Sequence, residues 1–431
     1  MIRERVERPA WVADILGDSA AILDATAQSV IFELDRLEGW LSEAGLRRVL
    51  LVFDRGAVTA AGVDVARIFG SLDVTPFENF TPNPTSQQAE NAARLAIQRR
   101  ADVVVGLGGG SCGDVAKVAA IAAAAPDKVR AITRGRTASG IQPLPLALIP
   151  TTSGTGCEAT HFAVIYVDGR KVSVGHPEAR PAVCVLDERL HHAMPEAIAA
   201  ATGLDALCQA CESTWAVGAT DESLRYAEAA GPLLAHALRP SVMDRSRDAR
   251  RAMLLGSHLA GRAINISKTT ASHAMSYQLT QRFGIAHGHA VALTLGHIAS
   301  VSARVSEEDA LLQGGARVVR DRVTRAAGYL GATPAEMGAC VAELLADLGL
   351  ARSLRDAGVP REALREIATR VDPVRLGNNP ARLSEDTIVT VLERAWDVGA
   401  TVDVPWSRLS TRASVHAGSS APSSDDGVSR P

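Results

Sequence analysis

Apolar and polar positions along this chain fall into two textures. Up to about residue 190, short apolar runs alternate with amphipathic stretches. Arg47 to Phe53 (RRVLLVF), Asp102 to Leu107 (DVVVGL) and Leu144 to Ile149 (LPLALI) read as buried strands, the last closed by Pro150. Between the first two, Gln87 to Gln98 carries its apolar residues at helical spacing. Strand and helix patterns alternating in this way predict a parallel sheet covered by helices. Beyond residue 190 the strand-like runs stop, and Ala/Leu-rich helical stretches such as Ser223 to Leu238 and Pro334 to Leu350 take over. A last helix is expected to start near Ser384, a capping serine followed by Glu385 and Asp386. Residues 1–28 read as an N-terminal extension, and 412–431 as a disordered tail too poor in apolar residues to pack. The expected architecture is an α/β domain over 1–190 and an all-helical domain over 191–411.

Composition narrows the function classes. A chain of 431 residues suggests two domains, and with 47% apolar residues a large core is available. Aromatics are only 4%, so Ala, Val and Leu must fill that core, which favours close-packed helices. The net charge of −3 gives no basic field to attract nucleic acid or an anionic membrane, so neither partner is expected. The start, MIRERVERPAW, lacks an apolar stretch of signal-peptide type, and the longest apolar run, Val118 to Pro126, is far short of a bilayer span. Six scattered cysteines do not make a disulfide framework. A cytoplasmic protein is expected.

Several segments carry candidate chemistry. Gly106 to Lys117 (GLGGGSCGDVAK) follows a strand and opens a helix. Glycines there let backbone approach a pyrophosphate, and the helix start offers free N–H groups to it. Ser111 stands where the last glycine of GxGxxG would be, so this is not the Rossmann fingerprint. Gly108, Gly109, Gly110, Ser111 and Asp114 are the candidate cofactor residues here, with a plain tight turn as the alternative. Asp54, after the first strand, suits a ribose 2′-OH and so NADH, while the adjacent Arg55 suits the 2′-phosphate of NADPH. A turn-forming aspartate explains Asp54 nearly as well. Pro150 to Thr160 (PTTSGTGCEAT) adds Thr151, Thr152 and Thr155 as candidate contacts to phosphates or nicotinamide.

Farther on, Asp205 and Gln209 are four apart and share a helix face. His273 and Tyr277 repeat that spacing, and His287 and His289 follow on an expected loop. An acid, an amide oxygen and two imidazoles suit a divalent ion such as Fe(II), Mn(II) or Zn(II), with ordinary surface or core histidines as the alternative. Cys208 and Cys211 form a CxxC with no second pair and read as small core residues. His191 and His192 read as surface residues.

Taken in order, TPNPT (Thr81 to Thr85), GGGSCGDVAK, IPTTSGTGCEAT, ATGLDALCQACES and HAMSYQL…HGHA resemble the iron-containing alcohol dehydrogenases over roughly residues 30 to 400. The resemblance implies a dehydroquinate synthase-like fold: an N-terminal α/β dinucleotide-binding domain, a C-terminal helical domain and a metal in the cleft between them. It also implies NADH or NADPH, a divalent metal with Fe(II) foremost and Zn(II) as second choice, and a homodimer. The family's metal ligands are an aspartate, a histidine four residues later and two histidines fourteen apart. Asp205, His273 and His287 match, and Gln209 takes the second place as a weaker, amide-oxygen ligand. Tyr277 stands where the family commonly has a non-ligand histidine, and Lys268, Thr269 and Thr270 replace a small glycine-containing stretch.

A lysine beside two threonines suits an anionic head group such as a phosphonate. DALCQA with KTTASHAMSY is similar to the branch that reduces phosphonoacetaldehyde to 2-hydroxyethylphosphonate in phosphonate natural-product pathways. For proton delivery to the product, His289 is a candidate relay and Tyr277 a second. A generic short-chain alcohol dehydrogenase, a lyase of the dehydroquinate-synthase kind that recycles its NAD, and a metal-free paralogue are the alternatives.

Overall fold

The computed structural model describes residues 8–136 and 140–397, so the expected tail at 412–431 lies outside the described residues. The eight strands are β1 (Ser29–Ile31), β2 (Arg48–Phe53), β3 (Asp73–Phe77), β4 (Val103–Gly108), β5 (Leu146–Pro150), β6 (Phe162–Val167), β7 (Arg170–Gly175) and β8 (Val183–Val185). Six of them form one parallel sheet in the order β1-β8-β5-β4-β2-β3. The three strands expected from apolar runs are its centre. Period-two burial explains the pattern: Leu50, Val52 and Val104 enter the core on one face, and Val49, Leu51 and Val105 the core on the other.

From β2 the chain steps outward to β3 and then returns past β2 to make β4. The strand order therefore switches direction between β2 and β4, and the carboxyl ends of those strands open a crevice of the kind that takes nucleotides in α/β sheets. Asp54 and the 108–110 glycines stand there, tied by a bond from the Asp54 N–H to the Leu107 carbonyl (3.0 Å).

The helix Ser86–Gln98 starts with a full capping box between Thr85 and Gln88. The last helix, Glu385–Trp396, starts as expected, with the Ser384 hydroxyl accepting from the Thr387 N–H. β6 and β7 form an antiparallel hairpin that sequence reading missed. Its turn, Asp168-Gly169, has both residues at positive φ (49° and 76°), the type I′ geometry that Asp-Gly serves.

The helical part is built around Glu196–Trp215, with Asp221–Met243, Arg247–Ser267 and His287–Ser302 packed about it. The described part of the expected N-terminal extension, residues 1–28, is packed through Ala10–Leu16 and Gly17–Asp24. Val12, Leu16 and Leu23 enter the helical core, and Arg262 donates to the Ile22 and Leu23 carbonyls (2.9 and 3.1 Å). The driving force is apolar burial, which reading from polar termini alone underrates. His191 is also buried rather than at the surface, its Nδ1 3.1 Å from Ser153 Oγ, while Cys208 and Cys211 are buried as expected. Among the described residues no helix is long and apolar enough to cross a membrane.

The loop after β5 crosses the Arg247–Ser267 helix at Gly156, whose φ is +58°. A Cβ there would lie 2.4 Å from Gly261 Cα. Gly156→Ala is therefore expected to lower stability by about 2–4 kcal/mol through left-handed strain plus overpacking. Gly39→Ala, on the Leu37–Glu43 helix with nothing near its missing Cβ, should be neutral or slightly stabilising. Urea unfolding of both decides it, and equal stabilities would refute the close crossing.

Candidate active site and metal centre

Asp205 and Gln209 lie one turn apart on Glu196–Trp215, and both are buried. His273 is on the Ala271–Phe283 helix, and His287 is the first residue of His287–Ser302, a helix where a loop was expected. Ligand atoms of Asp205, His273 and His287 all lie within 4.8 Å of one another. His273 Nε2 is 3.1 Å and His287 Nε2 4.0 Å from Asp205 Oδ1. The helices meet this closely because residue 288 is glycine: a Cβ would stand 1.9 Å from the Ala201 carbonyl oxygen.

The far nitrogen of each imidazole is held. Glu212, fully buried, contacts His273 Nδ1 through Oε2, and its Oε1 accepts from Thr270 Oγ1 (2.7 Å) and the Ser272 N–H (3.0 Å). Ser276 donates its hydroxyl to the His273 carbonyl (2.7 Å), so its oxygen is free to accept from His287 Nδ1 at 3.2 Å. Both Nε2 atoms are thereby turned toward Asp205, the second layer that metal-binding histidines need. Burial pushes His273 toward neutrality, but Glu212 and Asp205 outweigh it and raise the group to about 9. Burial, then Lys171, lowers His287 to about 3, leaving it a neutral ligand. Burial would raise Asp205, but the His273 hydrogen bond and both imidazoles hold it below the usual carboxylate range.

The donor set fits a divalent ion. Gln209 Oε1 is buried and has no hydrogen-bond partner among the described residues, a deficit of about 1–3 kcal/mol that a cation beside Asp205 would relieve. Glu212 was passed over in the sequence although it lies seven residues after Asp205, two turns along the same helix face.

A cavity of about 670 Å³ runs from this cluster to the glycine loop. Gly110, Ser111, Asp114 and Thr155 line it, as do Asp205, Gln209, His273, His287, Tyr277, Lys268 and Thr269. Asp114 is pushed up to about 7 by burial, against the pull of Lys117. Gly108, Gly109, Thr151 and Thr152 sit behind that lining: the Thr151 N–H donates to the Gly108 carbonyl (3.0 Å), and the Thr152 methyl packs on Gly109. Asp54 caps the helix Arg55–Ala60 through the Ala57 N–H (3.1 Å), at the crevice rather than in this cavity. Arg55 is paired with Glu78 through both nitrogens of its fork (2.5 and 2.8 Å).

Two expectations need correction. Thr270 does not face substrate: its buried hydroxyl donates to Glu212 and accepts from Trp215 Nε1 (3.0 Å). His289 does not line the cavity, and its Nε2 bonds the Ala351 carbonyl (2.8 Å). On a helix, positions two apart point away from each other, so with His287 facing Asp205 the buried His289 points away from the cluster.

Lys268 caps Arg247–Ser267 with a φ of 61°. Its Nζ donates to the Asn265 carbonyl (3.1 Å), lies 3.4 Å from His161 Nε2 and sits 4.6 Å above Phe162. Burial, then Lys117, lowers it to about 8. Tyr277 stacks on His287 (5.9 Å between centroids), and burial pushes its phenol up to about 12. Two cations not singled out in the sequence, Lys171 of β7 and Arg375 of the short helix Pro373–Leu376, lie 3.7 and 4.8 Å from the centre of that ring. The unread Asp-Gly turn was the signal for the first of them.

Because Glu212 orients His273, Glu212→Gln is expected to weaken metal binding about ten- to a hundredfold with the ligands unchanged. His273→Ala or His287→Ala should abolish stoichiometric metal, and Gln209→His should tighten it. Metal content and competition with a chelator measure all four. Full loading of the histidine variants would refute the site.

Residues 28–188 match the iron-containing alcohol dehydrogenase family, and 199–396 match its C-terminal domain. The chain is 36% identical over 321 residues to phosphonoacetaldehyde reductase of Streptomyces viridochromogenes, covering 70% of this chain and 79% of that one. It is 32% identical to long-chain-alcohol dehydrogenase 1 of Geobacillus thermodenitrificans, over 84% and 93% of the two chains. Among solved structures, sulfoacetaldehyde reductase of Bifidobacterium kashiwanohense with NAD+ superposes at a TM-score of 0.76 with 28% identity, over 86% and 97% of the two chains. The chain belongs to the iron-containing alcohol dehydrogenase family and is an oxidoreductase of its alcohol dehydrogenase and aldehyde reductase type.

Proposed function

We propose that this enzyme reduces phosphonoacetaldehyde to 2-hydroxyethylphosphonate with NADH and a divalent ion, Fe(II) foremost. The observation that carries this reading is that Lys171, Lys268 and Arg375 all line the cavity holding the carboxylate–imidazole cluster. Cations facing one small cavity favour an anionic substrate, and a phosphonate dianion more than a neutral aldehyde. The similarity to a phosphonoacetaldehyde reductase supports the phosphonate. The similarity to a sulfoacetaldehyde reductase makes sulfoacetaldehyde, of the same shape and smaller charge, the second reading.

NADH is favoured because Glu78 holds Arg55, the cation that a 2′-phosphate would need, beside the Asp54 carboxylate. Gly110 and Ser111 at the start of Gly110–Ala123 offer backbone N–H groups to the pyrophosphate. Asp205, Gln209, His273 and His287 would hold the ion. When bound, the nicotinamide supplies the hydride and the ion polarises the aldehyde oxygen. The alcohol product then needs one proton. Tyr277 lines the cavity, and its hydroxyl, pushed up to about 12 by burial and so protonated across the neutral range, is the group we assign to give it.

Steady-state NADH oxidation with phosphonoacetaldehyde, sulfoacetaldehyde and propanal tests this, with chelated enzyme and Fe(II) or Zn(II) add-back. The expected order of kcat/KM is that order of substrates. Equal values for phosphonoacetaldehyde and propanal would sink the reading. Lys268→Ala should lower the phosphonoacetaldehyde-to-propanal ratio by less than about tenfold, because Asn265 and His161 already engage its ammonium.

A further inference from the structure

We propose that Arg375 and Lys171, carried over the ring of Tyr277, are the pair that selects the anionic head group of the substrate. This rests on the anionic-aldehyde reading above and specifies which residues enforce it.

Lys171 is half-buried on β7, with no ion pair and no hydrogen bond among the described residues. Its ammonium rests on the face of Tyr277, which satisfies none of its three N–H donors. Arg375 approaches the same ring from the Pro373–Leu376 helix, and its carboxylate neighbour is Asp372, at 3.7 Å on the protein surface. Two cations from different elements thus converge on one side chain; the carboxylates that act on Lys171, Asp205 and Asp114, offset its charge only through space, with no ion pair to it among the described residues. Their mutual repulsion is a standing cost that an incoming anion removes.

Position ties the pair to the reacting carbonyl. Tyr277 stacks on His287, one of the ligand set, so Lys171 and Arg375 stand one ring away from the place an aldehyde oxygen must occupy. A two-carbon aldehyde has no longer reach than that. Lys268 is engaged elsewhere, its ammonium held by the Asn265 carbonyl and 3.4 Å from His161 Nε2, and among the described residues no hydrogen bond joins it to Asp205, Gln209, His273 or His287. The planar fork of Arg375 matches two phosphonate oxygens, and Lys171 supplies a point charge for the third. Tyr277 is then a positioning residue for both cations, in addition to any proton it gives.

The test is the ratio of kcat/KM on phosphonoacetaldehyde to that on propanal. Arg375→Gln and Lys171→Met are each expected to lower the ratio about ten- to a hundredfold, mainly through KM, and Arg375→Lys to recover part of it. Tyr277→Phe keeps the ring and should keep the ratio whatever it does to kcat, whereas Tyr277→Leu should lose it. Calorimetric binding of 2-hydroxyethylphosphonate to the metal-loaded enzyme gives the same ranking without turnover. Arg375 lies on a short surface helix, so its variants report even if Lys171→Met fails to fold. A wild type with no preference for anionic aldehydes would overturn the functional reading and the pair together. A wild type with that preference, whose ratio survives Arg375→Gln and Tyr277→Leu but collapses in Lys268→Ala, would overturn the pair alone.

Discussion

The contact between the Glu212 carboxylate and His273, continued from His273 to Asp205, is the interaction around which the helical half is arranged. It places two carboxylates and an imidazole in a core of Ala, Leu and Met, where unpaired charge is prohibitive. Each partner is tolerable only because the next is in place, and removing one from such a buried set typically costs about 3–5 kcal/mol. That demand explains the company Glu212 keeps. Thr270, Ser272 and, through Thr270, the indole of Trp215 all serve one carboxylate. It also explains glycine at 288, since the helix carrying His287 must start against the backbone of the helix carrying Asp205.

The α/β half meets this cluster through a few anchors. Lys117, completely buried, donates to Thr160 Oγ1 (2.7 Å) and to the Phe162 carbonyl (2.9 Å), fixing the start of β6 to the helix that follows the glycine loop. The Tyr166 N–H bonds the Pro84 carbonyl (2.8 Å), so the hairpin is held at a second point. The crevice at the sheet's switch point and the cavity at the ligand cluster are therefore joined by a rigid wall, and that wall presents Lys171. Gly156 against Gly261 closes the same junction, where any side chain would push the loop after β5 away from the helix.

What was legible in the sequence was what periodicity and spacing encode. Three apolar runs became the sheet's centre, and the four-residue spacing put Asp205 and Gln209 on one helix face, whereas the gathering of His273 and His287 with them was legible only through the family resemblance, since they lie on two separate helices. What failed has physical causes. Reading 287–289 as a loop allowed both histidines to face the site, whereas a helix sends them apart. Thr270 was assigned by its neighbours Lys268 and Thr269, but it stands at the N-cap of the Ala271–Phe283 helix, and there its hydroxyl turns into the core to meet Glu212. The Asp168-Gly169 turn was overlooked, and with it the hairpin that brings Lys171 to Tyr277. No local pattern marks Arg375, since its role depends on a contact across nearly a hundred residues of chain.

The departures from the family pattern form one set when read through charge. Where the family commonly carries a histidine, position 277 here carries a phenol flanked by Lys171 and Arg375. An imidazole there would either be driven neutral by two adjacent cations or, when protonated, add a third positive charge beside them. A tyrosine offers both cations the negative face of its ring and keeps its own proton. At position 209, an amide in place of an imidazole still presents one neutral oxygen to an ion but lacks a second nitrogen to be held from behind. Gln209 therefore leaves metal retention resting on Asp205 and on the Glu212 and Ser276 contacts that orient the two histidines. On the function proposed above, a site so built would trade some hold on its metal for positive charge around the substrate, an exchange suited to an aldehyde bringing its own negative charge.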